Sequence, residues 1–150
     1  MFGKEFPAAG STMNDIILQK KASLERSIQQ ITSYYQRPSL LPFKEDFYKQ
    51  DAIAINIQRA CEICIDLANI AIKTKKIGLP SSSRDSFFLL EQAGIIDEKM
   101  ARNLSKMTGF RNILSHQYQD VDIELMESII TQNFLSDLND FASIIVRLFQ

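Results

Sequence analysis

An all-α protein, an antiparallel bundle of about five helices joined by short connections, is what this sequence predicts. Three observations carry the expectation. Apolar residues recur at helical spacing through almost the whole chain. No run alternates apolar and polar residues between Asn-Gly or Gly-Gly turns, so strand signals are nearly absent. Pro38, Pro42, Gly78, Pro80 and Gly94 fall between the periodic stretches, where helices would end.

Each helix can be justified in turn. Ile17, Leu24, Ile28, Ile31 and Tyr35 form one stripe, closed by Pro38 and Pro42. A second helix is expected from Glu45 or Phe47 to Lys76, with Gly78 at its C′ position and Pro80 beyond. "PSSSRDSFFLLEQAG" supplies serines able to cap a short third helix that stops at Gly94. Asp97 can cap a fourth, running through Arg111 toward His116. "DVDIE" opens a long fifth helix, its acids complementing the positive end of the helix dipole. Ile123, Met126, Ile130, Phe134, Phe141, Ile145 and Leu148 would share one face of it.

At 150 residues, 45% apolar and 23% charged, the chain has the balance of one globular domain. The net charge of −1 argues against coating nucleic acid by bulk electrostatics, while leaving room for a local basic track. No apolar run approaches the roughly 18–20 residues of a membrane span, so no membrane partner is expected. Residues 1–12 lack the apolar core of a signal peptide and are expected to be a flexible extension or cloning remnant, with the folded domain over 13–150. Two cysteines without an export signal point to a reducing cytoplasm. Cys61 and Cys64 lie one turn apart among isoleucines and read as core thiols rather than metal ligands.

The chemistry concentrates in "RNILSHQY", which holds the single histidine. On a helical wheel with Met100 at 0°, Leu104, Met107 and Leu114 fall within about 40° and Arg111 at about 20°, inside the apolar stripe. His116 projects at about 160°, beside Asn112 and near the face of Lys99, Arg102 and Lys106. Arg111 and His116 therefore diverge on one straight helix. Convergence needs either unwinding near Ser115 or a second chain related by a two-fold axis. The second helix, with Ile53, Ile55, Ile57, Ile63, Ile65, Leu67, Ile70 and Ile72 spread round it, is either central or part of an interface, and a homodimer is expected.

An arginine, an amide and an imidazole suit metal-independent cleavage of an RNA phosphodiester. Histidine can move the 2′-hydroxyl proton, and arginine can neutralise charge building on the phosphate oxygens. The competing reading pairs Arg111 with a core acid and leaves His116 capping a helix end. Arg59, Glu62, Asp66 and Asn69 form a polar stripe on the second helix, either an internal salt-bridge ladder or a set orienting Arg111 or His116. Lys99, Arg102 and Lys106 are either a solvated face or an RNA phosphate track.

From about Met13 to Leu148 the chain resembles the HepT-like toxins of the HEPN superfamily. The stretches that carry the likeness are "MNDIILQKKASLERSI", "QDAIAINIQRACEICIDLANI", "IGLPSSSRDSFFLLEQAGIID" and "MTGFRNILSHQYQDVD". The resemblance implies a dimeric toxin ribonuclease needing no cofactor or metal. Arg111 and His116 match the catalytic pair, and Asn112 the polar residue after the arginine. It also implies an MntA-like nucleotidyltransferase antitoxin that silences the toxin by adenylylating Tyr118. The RNA cut would be tRNA by analogy. The alternatives are a catalytically silent helical partner of such a nucleotidyltransferase, or a structural bundle without a ligand.

Overall fold

A computed structural model describes residues 12–116 and 122–150, except for the side chains of Ser115 and His116. Its helices are α1 (Met13–Gln36), α2 (Phe47–Lys75), α3 (Ser83–Gln92), α4 (Glu98–His116), α5 (Ile123–Thr131) and α6 (Phe134–Leu148). A single 3-10 turn, Phe43–Glu45, interrupts the connection between α1 and α2, and no strand occurs among the described residues.

Thr12 opens α1 with a reciprocal cap. Its hydroxyl accepts from the Asp15 N–H at 3.1 Å, and the Asp15 carboxylate accepts from the Thr12 N–H at 3.2 Å. Ile17, Leu24 and Ile31 bury the predicted stripe. At the far end Lys49 Nζ donates to the carbonyls of Tyr35 (3.3 Å) and Arg37 (2.6 Å), which satisfies acceptors the helix leaves open. Asp46 caps α2 by accepting from the Lys49 N–H.

α2 is the central helix, packed against α1, α3, α4 and α6. Its isoleucines are largely used up inside this one chain: Ile53, Ile57 and Ile72 are sealed, as is Leu67. Ile55 stays on the outer side with Phe47 and Tyr48. The end of α2 differs from expectation. Lys76, not Gly78, adopts the left-handed conformation at φ 54°. The Ile77 N–H reaches back to the Ile72 carbonyl at 3.0 Å, and the Lys76 N–H to that of Lys73, the pattern of a Schellman cap. Gly78 lies instead beside the Leu89 side chain.

Ser82 caps α3 through the Asp85 N–H. Gly94, at φ 76°, closes it with the Ile95 N–H bonded to the Leu90 carbonyl at 3.0 Å. Asp97 caps α4 by accepting from the Met100 N–H at 2.8 Å.

The expected long fifth helix is two helices, so the described residues hold six rather than five. The break falls at Gln132, whose backbone is extended. Thr131 turns its hydroxyl back onto the Glu127 carbonyl at 2.9 Å, a local bond that competes with helix continuation. The change of direction lets α5 lie on α1 while α6 enters the core. Met126 and Ile129 of α5 are buried, and Phe141 of α6 meets Phe87 of α3 edge to face at 5.7 Å. No helix among the described residues is long and apolar enough to cross a membrane.

Candidate functional site

α4 buries Ala101, Leu104, Met107, Thr108, Phe110 and Leu114, an arc centred on the direction of Arg111. The helix is continuous through His116, so no unwinding near Ser115 brings the two motif positions together. Arg111 thus points into the bundle edge against α2, while position 116 occupies the other side of α4.

Arg111 is half-buried. Its Nε is shielded from solvent and has no hydrogen-bond partner among the described residues. None of the ion pairs among those residues includes it. Leaving a buried donor unmatched costs roughly 1–3 kcal/mol, so this N–H is still open to an acceptor. The core-acid pairing weighed against the functional reading is thus not found among the described residues.

Beneath Arg111 sits Cys61 of α2, whose thiol donates to the Met107 carbonyl at 3.6 Å. Burial pushes that thiol up to about 12, an effect the Arg111 charge opposes and the Glu62 charge reinforces. Arg111 and Glu62 therefore act electrostatically on the same buried atom, although Glu62 itself is exposed and accepts from Gln58. Burial also pushes Cys64 well above the ordinary thiol range. Both cysteines are free and buried, as core thiols should be.

The polar stripe of α2 does not form a ladder among the described residues. Asp66 pairs with Lys20 of α1 at 3.3 Å, and Asn69 accepts from the Ser86 hydroxyl of α3 at 2.7 Å. These two members tie α2 to different helices, whereas Glu62 stays with Gln58 of α2 itself. Asn112 is exposed, as are Lys99, Arg102 and Lys106. Arg102 approaches Glu98 at 3.9 Å, a loose surface pair. Tyr118 lies outside the described residues, as does the side chain of His116. No cluster of metal-binding side chains forms among the described residues.

One neighbour had been given no role from the sequence. Arg84 of α3 donates from Nε to the Ser105 carbonyl of α4 at 3.4 Å, and its guanidinium lies over Gly109.

The sequence profile described as ribonuclease HepT-like matches residues 24–145. This chain belongs to the HepT-like family. mRNA nuclease HepT of Shewanella oneidensis is 42% identical over 133 residues, spanning 89% of this chain and 98% of that protein. The structure of the tri-AMPylated Shewanella oneidensis HEPN toxin in complex with MNT antitoxin superposes with a TM-score of 0.81 at 41% identity, covering 89% of this chain and 98% of that one. A toxin–antitoxin structure with AMP-PNP matches at 0.81 and 40%, covering 87% and 97%. A cytosolic Bacillus subtilis protein of unknown function shares the fold at a TM-score of 0.74 and 19% identity, over 91% of this chain and 90% of that one. The HepT-like assignment and the all-α bundle thus agree.

Proposed function

We propose that this chain is the ribonuclease toxin of a toxin–antitoxin pair, cutting RNA without a metal at a site shared by two copies. The observation that carries the reading is the half-buried Arg111, whose Nε has no hydrogen-bond partner among the described residues, on a helix that stays intact through position 116. One helix cannot aim both motif residues at one phosphate, whereas two α4 helices facing across a two-fold axis can. Most apolar residues of α2 pack within the chain, so they do not argue for a dimer. The outer strip does: Tyr48 (91% exposed), Ile55 (49% exposed) and Glu62 recur every seven residues on α2, and Phe47 flanks them at 68% exposure. That strip ends at Glu62, next in the chain to Cys61, on whose thiol the Arg111 charge acts.

In the proposed reaction the 2′-oxygen attacks phosphorus as the bond to the 5′-oxygen breaks. His116 handles the proton lost by the 2′-hydroxyl or gained by the leaving oxygen, and Arg111 holds the charged phosphate oxygens. Asn112 supports the phosphate, and Glu62 and Asp66 steady the frame. Tyr118 is the switch: AMP from an MntA-like nucleotidyltransferase would add bulk and negative charge where RNA must sit. RNA is the substrate class. The Shewanella relative's name specifies mRNA, and tRNA is the second candidate.

The test incubates purified protein with tRNA, an mRNA fragment and an all-deoxy oligonucleotide, with and without EDTA. Cleavage of RNA alone, unaffected by the chelator and leaving a cyclic phosphate end, is expected. Loss of cleavage in EDTA, or equal cutting of DNA, overturns the mechanism.

A further inference from the structure

Resting on that ribonuclease reading, we propose that Arg84 is an RNA-binding residue, gripping a backbone phosphate of the substrate a few nucleotides from the scissile bond. Arg84 belongs to the first turn of α3, where the helix dipole favours an acid over a cation. Helix stability therefore does not explain it. The nearest acid, Asp85, is occupied by the backbone N–H and hydroxyl of Ser81. Arg84 has no ion pair among the described residues.

What holds Arg84 is α4. Its Nε bonds to the Ser105 carbonyl at 3.4 Å. In a helix the residue four positions on normally covers such a carbonyl with its side chain. Here that residue is Gly109, and Arg84 Nη2 lies 3.4 Å from the place its Cβ would occupy. Nε is bonded to α4 and Nη2 lies over Gly109, while the side chain as a whole is exposed. The guanidinium is thus held at the surface of α4 with N–H groups that no protein partner takes among the described residues. A planar fork pre-set in this way is the arrangement that takes a phosphate through paired hydrogen bonds.

The placement aligns with the motif. On the α4 wheel positions 105, 109, 112 and 116 fall between about 120° and 180°, a single face. Arg102 falls near 200° and Lys106 and Lys99 near 240° and 260°, so these cations flank that face on one side. Arg84 brings a further cation from another helix onto that face, at its Ser105 and Gly109 positions. From Gly109 to position 116 the helix rises about 10 Å, a few nucleotides of strand.

The experiment compares the full-length protein with Arg84→Gln and Arg84→Lys. Cleavage gives kcat and KM. Binding of a labelled single-stranded RNA is titrated against salt in the His116→Ala background, where no cutting interferes. For Arg84→Gln the expected results are a KM and Kd raised about tenfold, kcat within about twofold, and a salt slope shallower by about 0.7. Arg84→Lys should recover the salt slope and part of the affinity. Unchanged KM and salt slope in Arg84→Gln, while the parent still cleaves RNA, overturn this role and leave the ribonuclease intact. A fall in kcat with a lowered melting temperature, rescued by neither readout in Arg84→Lys, marks Arg84 as a staple between α3 and α4 and also overturns it. A parent that neither cuts nor binds RNA overturns the ribonuclease reading itself, and this role with it.

Discussion

The Cys61 thiol donates to the Met107 carbonyl at 3.6 Å, one helical turn before Arg111. In the α4 ladder that same carbonyl receives the Arg111 N–H, so α2 grips the backbone turn from which the guanidinium projects. Burial and the neighbouring Glu62 charge keep the thiol protonated far above neutral pH, with its pKa pushed up to about 12. Only the thiolate reacts with disulfide reagents. At pH 8 both Cys61 and Cys64 should resist such a reagent in the folded protein and react fully once it is denatured. Prompt release of chromophore from the native protein would contradict this placement.

Arg111→Met separates a functional cation from a structural one. Its buried Nε has no hydrogen-bond partner among the described residues, so an apolar replacement should leave unfolding free energy within about 1 kcal/mol of the parent. RNA cleavage should fall by about 10²–10³, the scale for removing a group that stabilises transition-state charge. His116→Ala should cost about 10²–10⁴ in the single-turnover rate with RNA affinity retained. Urea titration beside the cleavage assay checks both. Unfolding of Arg111→Met would instead restore the core-pairing explanation.

Tyr35 of α1 donates its phenol hydrogen to the Glu127 carboxylate of α5, which locks these helices together. That bond, with burial and the carboxylate charge adding to it, pushes the phenol up to about 12 from its ordinary value of 10.0. A raised folded-state value means the contribution is fully present below about pH 10 and is lost as pH climbs through about 12. Melting temperature should therefore drop across that window in the parent. Tyr35→Phe should lower the plateau by about 1 kcal/mol and flatten the drop. Equal slopes for parent and variant would remove the bond from the account.

Lys76 closes α2 with φ at 54°, a conformation that costs an L-residue roughly 1–2 kcal/mol. Lys76→Gly relieves that strain and loses some chain entropy in exchange, for a net gain of about 0.5–1 kcal/mol. Thermal unfolding should move up accordingly. A fall would mean the Lys76 side chain contributes more than its exposed position suggests.

Helix limits were legible where the signal is local. Asp97, the serines before α3 and Gly94 act within four residues of the termini they define. The break at Gln132 was not legible, because the apolar spacing from Ile123 to Leu148 runs through it without a change of phase. The Lys76 cap escaped because glycine, two residues on, is the commoner occupant of a left-handed position. Arg84 escaped because its anchor, Ser105, lies 21 positions along the chain.

The same division runs through the site. Residue spacing alone put Arg111 on the apolar stripe of α4 and His116 on the opposite side, since both follow from 3.6 residues per turn. Whether an acid would meet Arg111 depended on packing. Asp66 is drawn to Lys20, 46 positions away on α1, and Asn69 to Ser86 on α3. Charge pairing falls steeply with distance, and those distances are set by how helices cross rather than by any repeat along one of them. The periodicity was enough to show that one helix could not bring the motif together. Only the packed bundle showed Arg111 in no ion pair among the described residues, and Arg84 bonded to the Ser105 carbonyl of α4.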